Sequence, residues 1–405
     1  MKKQIYPLFV FFILALLVTA CASPSGTDAE TASPEDQVAT IVAGTMQALT
    51  PVVMESTPEP PAGLLPRSFY YLGTDNTTGL MQVFRIERDG ATMQVTFEPV
   101  EVNSFDVSQS DGSVAYISNN QLLWVDANGS GRRLLVDGGV VDQNNPFVST
   151  LSNPVFSPNG QTLAYSYRGL NFYSMASGVS NLVIENRLND SGNGFIFPEE
   201  LYSPAQYSPD GTKLLVTLGY YEGASSAIYM VASNTLVRLT NDQGALICCG
   251  REQWTLDGSA FYAASSTTGM FNAGLWKVDA SNGQTTTLFS GGYDVGVFNY
   301  AGEPYLAPDG QLYFFYFTSN TEINQRTPLQ LVRSAPDGIT GRTVLRPDTF
   351  ELMNEALWSP DASFVIVAFA PTQDVYYGGQ AEVTYLDSRP SVVLTPFAQQ
   401  MKWGP

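Results

Sequence analysis

The 405-residue chain carries 38 acidic and 19 basic side chains, a net charge of −19, which excludes a nucleic-acid binder because that function needs a basic surface. Histidine is absent, and with it go the commonest general base, the Ser–His and Cys–His nucleophile pairs and imidazole metal ligation. Only 14% of residues are charged while 12% are aromatic, a balance that suits a large sheet protein.

Lys2 and Lys3 precede an apolar run from Ile5 to Val18 that ends in Val18-Thr19-Ala20-Cys21. A charged start, a short apolar stretch and small residues before a processing point describe an export signal over residues 1–20. The run is short for a membrane span. Residues 21–66 are rich in Ala, Thr, Ser, Pro and Glu and cannot bury enough apolar surface to offset their ordering entropy, so they are expected to form a tether. Within it, Ser33-Pro34-Glu35-Asp36 reads as an N-cap, a first-turn proline and an acidic first turn, followed by Val38, Ile41, Val42, Met46 and Leu49 along one face. That pattern predicts a short helix over 34–49.

From residue 67 onward one turn recurs with a period of about 50 residues, the mark of a repeat architecture. Its copies are Ser110-Asp111-Gly112, Ser157-Pro158-Asn159-Gly160, Ser208-Pro209-Asp210-Gly211, Leu256-Asp257-Gly258, Ala307-Pro308-Asp309-Gly310 and Ser359-Pro360-Asp361. Proline presets φ, Asp or Asn tolerates the next position, and Gly takes the left-handed conformation without steric cost, so each copy forces an antiparallel hairpin. A second strand pair follows each, as in Leu122-Leu123-Trp124-Val125-Asp126 and then Arg132-Arg133-Leu134-Leu135. Four short strands per repeat predict an all-β fold, a β-propeller of four-stranded blades.

Six turns give six blades, starting near residues 101, 148, 198, 246, 298 and 350. Ser68-Phe69-Tyr70-Tyr71-Leu72 and Gln82-Val83-Phe84-Arg85-Ile86 supply only the outer strands of another. Its missing first strand is Met401-Lys402-Trp403-Gly404-Pro405, which matches Leu357-Trp358-Ser359-Pro360 in register. The reading is seven blades, with six or eight as the alternative counts, closed by pairing the C-terminal strand with the first blade. Closure of this kind removes exposed sheet edges.

The segment Phe156-Ser157-Pro158-Asn159-Gly160 through Leu163-Ala164-Tyr165, with variants at 207–214 and 358–366, resembles the PD40 repeat of TolB-like, WD40-like β-propellers. The resemblance covers most of residues 68–405 and implies the fold; that family includes protein-binding modules, enzyme accessory domains and a few lyases. The separate N-terminal domain of TolB has no counterpart here. Cys21 likewise resembles the lipidated first residue of bacterial lipoproteins. It implies an extracytoplasmic protein anchored in the membrane through a lipid on a tether whose reach is on the order of 40 Å.

Two further thiols, Cys248 and Cys249, are adjacent and could form a strained vicinal disulfide or remain reduced, facing opposite sides of a strand. Asn189-Asp190-Ser191-Gly192-Asn193-Gly194 resembles a fragment of a calcium loop without its distal acid, so no metal site is expected. The turn aspartates are expected to be structural, each accepting hydrogen bonds from its own turn.

In a four-stranded blade, the loops between strands two and three and those leading to the next blade open on one face. Nearly all the length variation falls there, at 74–79, 142–147, 189–200, 220–226, 265–272, 318–327 and 371–380. Long irregular loops on a rigid scaffold are where binding usually resides. Phe195, Phe197, Tyr220, Tyr221, Phe271, Tyr376 and Tyr377 make this rim the candidate binding surface, and Asp190, Glu199, Glu200, Glu222, Glu322 and Asp374 are the acids expected beside it.

The expected function is a binding or scaffold module for a protein, peptide or glycan. No catalysis and no cofactor are expected, because no catalytic constellation is recognisable. The alternatives are a carboxylate-based glycan hydrolase or lyase using the central funnel, which needs only two suitably separated carboxyl groups, and a structural component of an envelope complex.

Overall fold

The computed structural model describes residues 63–192, 196–221, 223–240, 253–267, 273–293, 295–323, 325–387 and 389–405. The leader with Cys21, the predicted helix over 34–49, Phe195, Glu222, Cys248, Cys249 and Phe271 lie outside the described residues.

Seven blades follow one another along the chain. Blade 1 takes β1 (Phe69–Thr74), β2 (Met81–Ile86) and β3 (Thr92–Gln94); blade 2 has β4 (Val102–Val107), β5 (Val114–Ser118), β6 (Gln121–Val125) and β7 (Arg133–Asp137). A single helical turn, α1 (Pro146–Ser149), leads into blade 3, which holds β8 (Ser152–Phe156), β9 (Thr162–Ser166), β10 (Gly169–Ser174) and β11 (Ser180–Glu185). Blade 4 holds β12 (Arg187–Asp190), β13 (Ile196–Tyr207), β14 (Lys213–Tyr220), β15 (Gly223–Met230) and β16 (Thr235–Arg238). Blade 5 comprises β17 (Gln253–Trp254), β18 (Ala260–Ser265), β19 (Gly274–Asp279) and β20 (Thr285–Ser290). Blade 6 has β21 (Phe298–Leu306), β22 (Leu312–Ser319), β23 (Gln330–Ser334) and β24 (Thr343–Thr349), and blade 7 β25 (Met353–Trp358), β26 (Phe364–Phe369), β27 (Gly379–Tyr385) and β28 (Val392–Trp403).

The ring closes as the repeat spacing predicts. The first half of β28 pairs with β27, Val392 opposite Val383 and Ala398 opposite Gly379, and forms the outer strand of blade 7. Its second half pairs with β1, Trp403 opposite Phe69 and Lys402 opposite Tyr70, and forms the inner strand of blade 1. One continuous strand thus joins blade 7 to blade 1 in a seven-stranded sheet.

Apolar packing confirms the ring. Each hydrophobic cluster lies between two successive blades. Val95 and Val83 meet Phe105 and Tyr116 between blades 1 and 2, Tyr262 meets Phe314 between blades 5 and 6, and Phe69 and Met401 meet Ile366 and Val383 between blades 7 and 1. Blades are therefore buried on both faces, which explains why strands such as Val114–Ser118 are buried at every residue instead of alternating.

The turn aspartates act as expected. Oδ1 of Asp111, Asp210, Asp257, Asp309 and Asp361 each accepts the backbone N–H two residues on, at 2.9–3.1 Å. Glycine supplies positive φ after most of them, but blade 7 uses Ala362, at φ 55°.

Two expected loops are ordered β-structure instead. Residues 187–190 and 196–200 pair, β12 with an extended β13, Asn189 opposite Phe197 and Arg187 opposite Glu200, giving blade 4 a fifth strand. Tyr220 and residues 223–226 are strand, because β14 and β15 stay paired out to Tyr220 opposite Gly223. Turn-forming residues at 189–192 mark the bend of a hairpin as readily as an open loop, and pairing decides between them.

Candidate functional site

The face with the long loops holds a cavity of about 760 Å³ between blades 6 and 7, within the size range of small-ligand sites. Its floor is built from inner strands. Gly302 and Glu303 come from β21, Met353, Asn354 and Glu355 from β25, and Gln399 and Gln400 from the closing half of β28. Its walls are the loop after β22, with Ile323, Gln325, Arg326 and Thr327, and the loop after β26, with Tyr376, Tyr377 and Gly378.

The repeat explains why these side chains converge. Glu303, Glu355 and Gln400 occupy the same position, four residues before Ala307, Ser359 and Gly404. There the inner strands of blades 6 and 7 carry a β-bulge, as does the pairing of β28 with β1. Bulges re-aim side chains and cluster near functional sites. Glu303 and Gln400 have φ of 49° and 53°, a left-handed conformation costly for long side chains.

Hydrogen bonds fix the walls. Thr327 Oγ1 donates to the Ser266 carbonyl at 3.0 Å, and the N–H of Ile323 donates to the buried Tyr300 hydroxyl at 2.8 Å. Asn354 Nδ2 donates to the carbonyls of Gly378 at 2.6 Å and Val375 at 3.2 Å. Glu355 accepts the N–H groups of Gln400 at 2.7 Å and Met401 at 2.6 Å. Tyr376 and Tyr377, 72% and 69% exposed, stand at the mouth.

The expected aromatic rim divides. Tyr376 and Tyr377 belong to the cavity, whereas Phe197, Tyr220 and Tyr221 gather on blade 4. There Phe197 and Tyr221 meet edge to face at 5.2 Å and the Tyr220 hydroxyl donates to Glu200 at 3.2 Å. Glu200 is buried and receives Arg238 through two bonds of 2.6 and 2.8 Å, together with the Tyr202 hydroxyl. The Arg238 guanidinium, aided by the tyrosine hydroxyls, lowers the Glu200 carboxyl to about 2 despite its burial. Burial and the bond to Glu200 push Tyr202 up to about 12. With its acceptors engaged, Glu200 is a clamp that joins the fifth strand's hairpin to the outer strand of blade 4.

Of the acids expected at the site, Glu200 and Glu199 lie on blade 4, the latter paired with Arg187 at 3.2 Å. Asp190 accepts the N–H of Gly192 at 2.8 Å. Glu322 accepts the Tyr293 hydroxyl from the loop that also supplies Ile323. The carboxylates lining the cavity are instead Glu303, Glu351 and Glu355, which the search for acids in loops passed over. The shared place of Glu303 and Glu355 before the turn was the available signal. Among the described residues, no group of three or more His, Cys, Asp or Glu side chains could hold a metal ion. A second hollow, of about 780 Å³, lies over blades 1 and 2 and has no aromatic lining.

No protein-family model and no curated protein sequence matches this chain. Solved structures do resemble it. A prolyl endopeptidase is 13% identical over 91% of this chain and 56% of that one, with a TM-score of 0.53. An oligogalacturonate lyase in complex with manganese is 10% identical over 82% of this chain and 86% of its own, with a TM-score of 0.51. TolB from Acinetobacter baumannii is 15% identical over 93% and 74%, with a TM-score of 0.43. The expectation that this chain is not an enzyme has to be withdrawn, since propellers so similar in fold occur in a lyase and a peptidase. Identities this low concern the fold alone and assign no reaction. The chain is a β-propeller closed by its C-terminal strand.

Proposed function

We propose that this protein holds an oligosaccharide in the cavity between blades 6 and 7, and that it does so outside the cell, anchored through a lipid on Cys21. The observation that carries the reading is the convergence of side-chain amides and carboxylates, Gln325, Asn354, Gln399, Gln400, Glu303 and Glu355, beneath two exposed tyrosines. Amides donate to and accept from sugar hydroxyls while carboxylates accept from them, and an exposed tyrosine offers a flat apolar face with a polar tip on which a sugar ring can lie. The second hollow has no such face.

Turnover of the bound glycan is a second reading, favoured by one observation. Glu303 and Glu355 stand at the same repeat position on adjacent inner strands and line one cavity, and a pair of carboxyl groups suffices for glycosidic cleavage.

Titration calorimetry of the full-length protein with neutral oligosaccharides, namely cello-, xylo- and N-acetylglucosamine oligomers, tests the binding. A dissociation constant below about 1 mM for at least one of them is expected, weakened by Glu303→Gln. No heat with any of them rejects a glycan ligand. Release of new reducing ends from a bound oligomer, lost in Glu303→Gln, would establish turnover. Incorporation of a clickable fatty acid by the wild type but not by Cys21→Ser tests the anchor.

A further inference from the structure

Arg326, on the loop after β22, crosses the seam to blade 7. Its Nε donates to the carbonyl of Gln373 at 3.0 Å. Its Nη2 donates to Asn354 Oδ1 at 2.8 Å and to the carbonyl of Val375, and its Nη1 points at the carbonyl of Met353 at 3.4 Å. The guanidinium lies 4.8 Å from the centre of the Tyr376 ring. Every partner but Met353 and Asn354 belongs to the loop after β26, and those two sit on β25 at its base. At the far end of that loop Gly378 has φ 57°, and a Cβ there would stand 2.4 Å from Phe397 Cζ. The loop is therefore held by Arg326 at Gln373 and Val375, by Asn354 at Val375 and Gly378, and by the close packing of Gly378 on β28.

We propose that Arg326 is a latch that positions Tyr376 and Tyr377 as the cavity's aromatic wall, and that the cavity consequently selects against anionic ligands. The proposal rests on the reading of this cavity as a glycan site. Among the described residues, Arg326 is the only basic side chain lining it. A guanidinium has five donors in a fixed fork, and here they face main-chain carbonyls, an amide oxygen and a tyrosine ring. The other ionisable side chains of the lining besides tyrosine are Glu303, Glu351 and Glu355. A uronate or phosphorylated sugar entering would meet three glutamates and a guanidinium whose donors are already engaged by Gln373, Asn354 and Val375.

Hydrogen exchange on full-length protein, wild type and Arg326→Gln, tests the latch. The variant should exchange the amides of residues 371–378 roughly tenfold faster or more, with blades 2 and 3 unchanged, since a local opening affects only its own segment. Unchanged exchange at 371–378 overturns the latch. Should Arg326→Gln exchange faster everywhere, Arg326→Lys, which keeps the stem and the charge but not the fork, carries the same test. Calorimetry with N-acetylglucosamine tetramer and galacturonate tetramer then reads selectivity. The neutral tetramer should lose about tenfold in affinity in the variant, and the acidic one should bind neither protein. Tight binding of the galacturonate tetramer by the wild type, lost in Arg326→Gln, makes Arg326 an anion receptor and overturns the proposal. If the wild type binds no sugar, the glycan reading fails, while the exchange result still decides the latch.

Discussion

The carboxylate of Glu355 accepts the main-chain N–H of Met401 at 2.6 Å, and so ties the inner strand of blade 7 to the strand that closes blade 1. Inner strands of neighbouring blades share no ladder, so their inward N–H and C=O groups need other partners. Side chains supply them around much of the ring. Trp403 Nε1 donates to the Trp358 carbonyl at 2.7 Å, and Trp358 Nε1 donates to the Glu303 carbonyl at 2.8 Å. Lys402 meets Asp106 at 2.9 Å, and Asp106 accepts the N–H of Phe156 at 2.7 Å. Blades 6, 7, 1, 2 and 3 are linked in sequence by these contacts.

Glu355→Ala leaves the N–H groups of Gln400 and Met401 without their acceptor. Each orphaned group costs about 1–3 kcal/mol, so urea denaturation should show a loss of about 2–4 kcal/mol, with Glu355→Gln, which keeps one acceptor oxygen, in between. A loss under about 0.5 kcal/mol would show that water replaces the carboxylate freely.

Deleting residues 398–405 removes the inner strand of blade 1, including the buried Met401, and exposes β1 as an edge. The truncated protein should melt well below the full chain and over a broader range, read by circular dichroism. A melt that superimposes on the wild type would show that the ring does not depend on this strand.

Acid should loosen blade 4 through Glu200. Its folded pKa, about 2, lies below the ordinary 4.5. The stability it contributes is therefore complete above about pH 4.5 and is lost as the pH falls toward 2. Arg238 is half exposed, so solvent screening keeps the contribution to about 1–3 kcal/mol. Glu200→Gln should be less stable at pH 7 and should show a shallower decline of stability between pH 5 and pH 2. Parallel declines in the two proteins would assign the acid sensitivity to other carboxylates.

Tyr376→Ala and Tyr377→Ala should each weaken binding of a neutral oligosaccharide by roughly tenfold, as removal of an aromatic anchor does. Both side chains are mostly exposed, so melting temperatures should stay within about 3 °C of the wild type. Unchanged affinity in both would move the sugar elsewhere on the face.

The blade count and the site differed in legibility. Ser-Pro-Asp-Gly turns are local, and Asp210 and Gly211 do at blade 4 what their chemistry requires anywhere. Met401-Lys402-Trp403 could be matched to the inner strands because Trp403 makes the same indole bond as Trp358. The hairpin of β12 with β13 escaped notice because residues 189–192 have turn composition whether or not the flanks pair. Glu303 and Glu355 were passed over because each, read alone, is one more acid in a strand before a turn.

The sequence by itself determined the repeat, the all-β class, the number of blades and the strand that closes the ring, because these follow from short-range turn chemistry and strand periodicity. Only the tertiary structure decided which side chains share a cavity. Glu303, Asn354 and Gln400 meet because the ring sets consecutive inner strands side by side, and the Arg326 guanidinium is tied to Val375 and Asn354 because acceptors from a different blade lie within reach of its fork. Proximity across blades depends on packing, which no local spacing in the chain encodes.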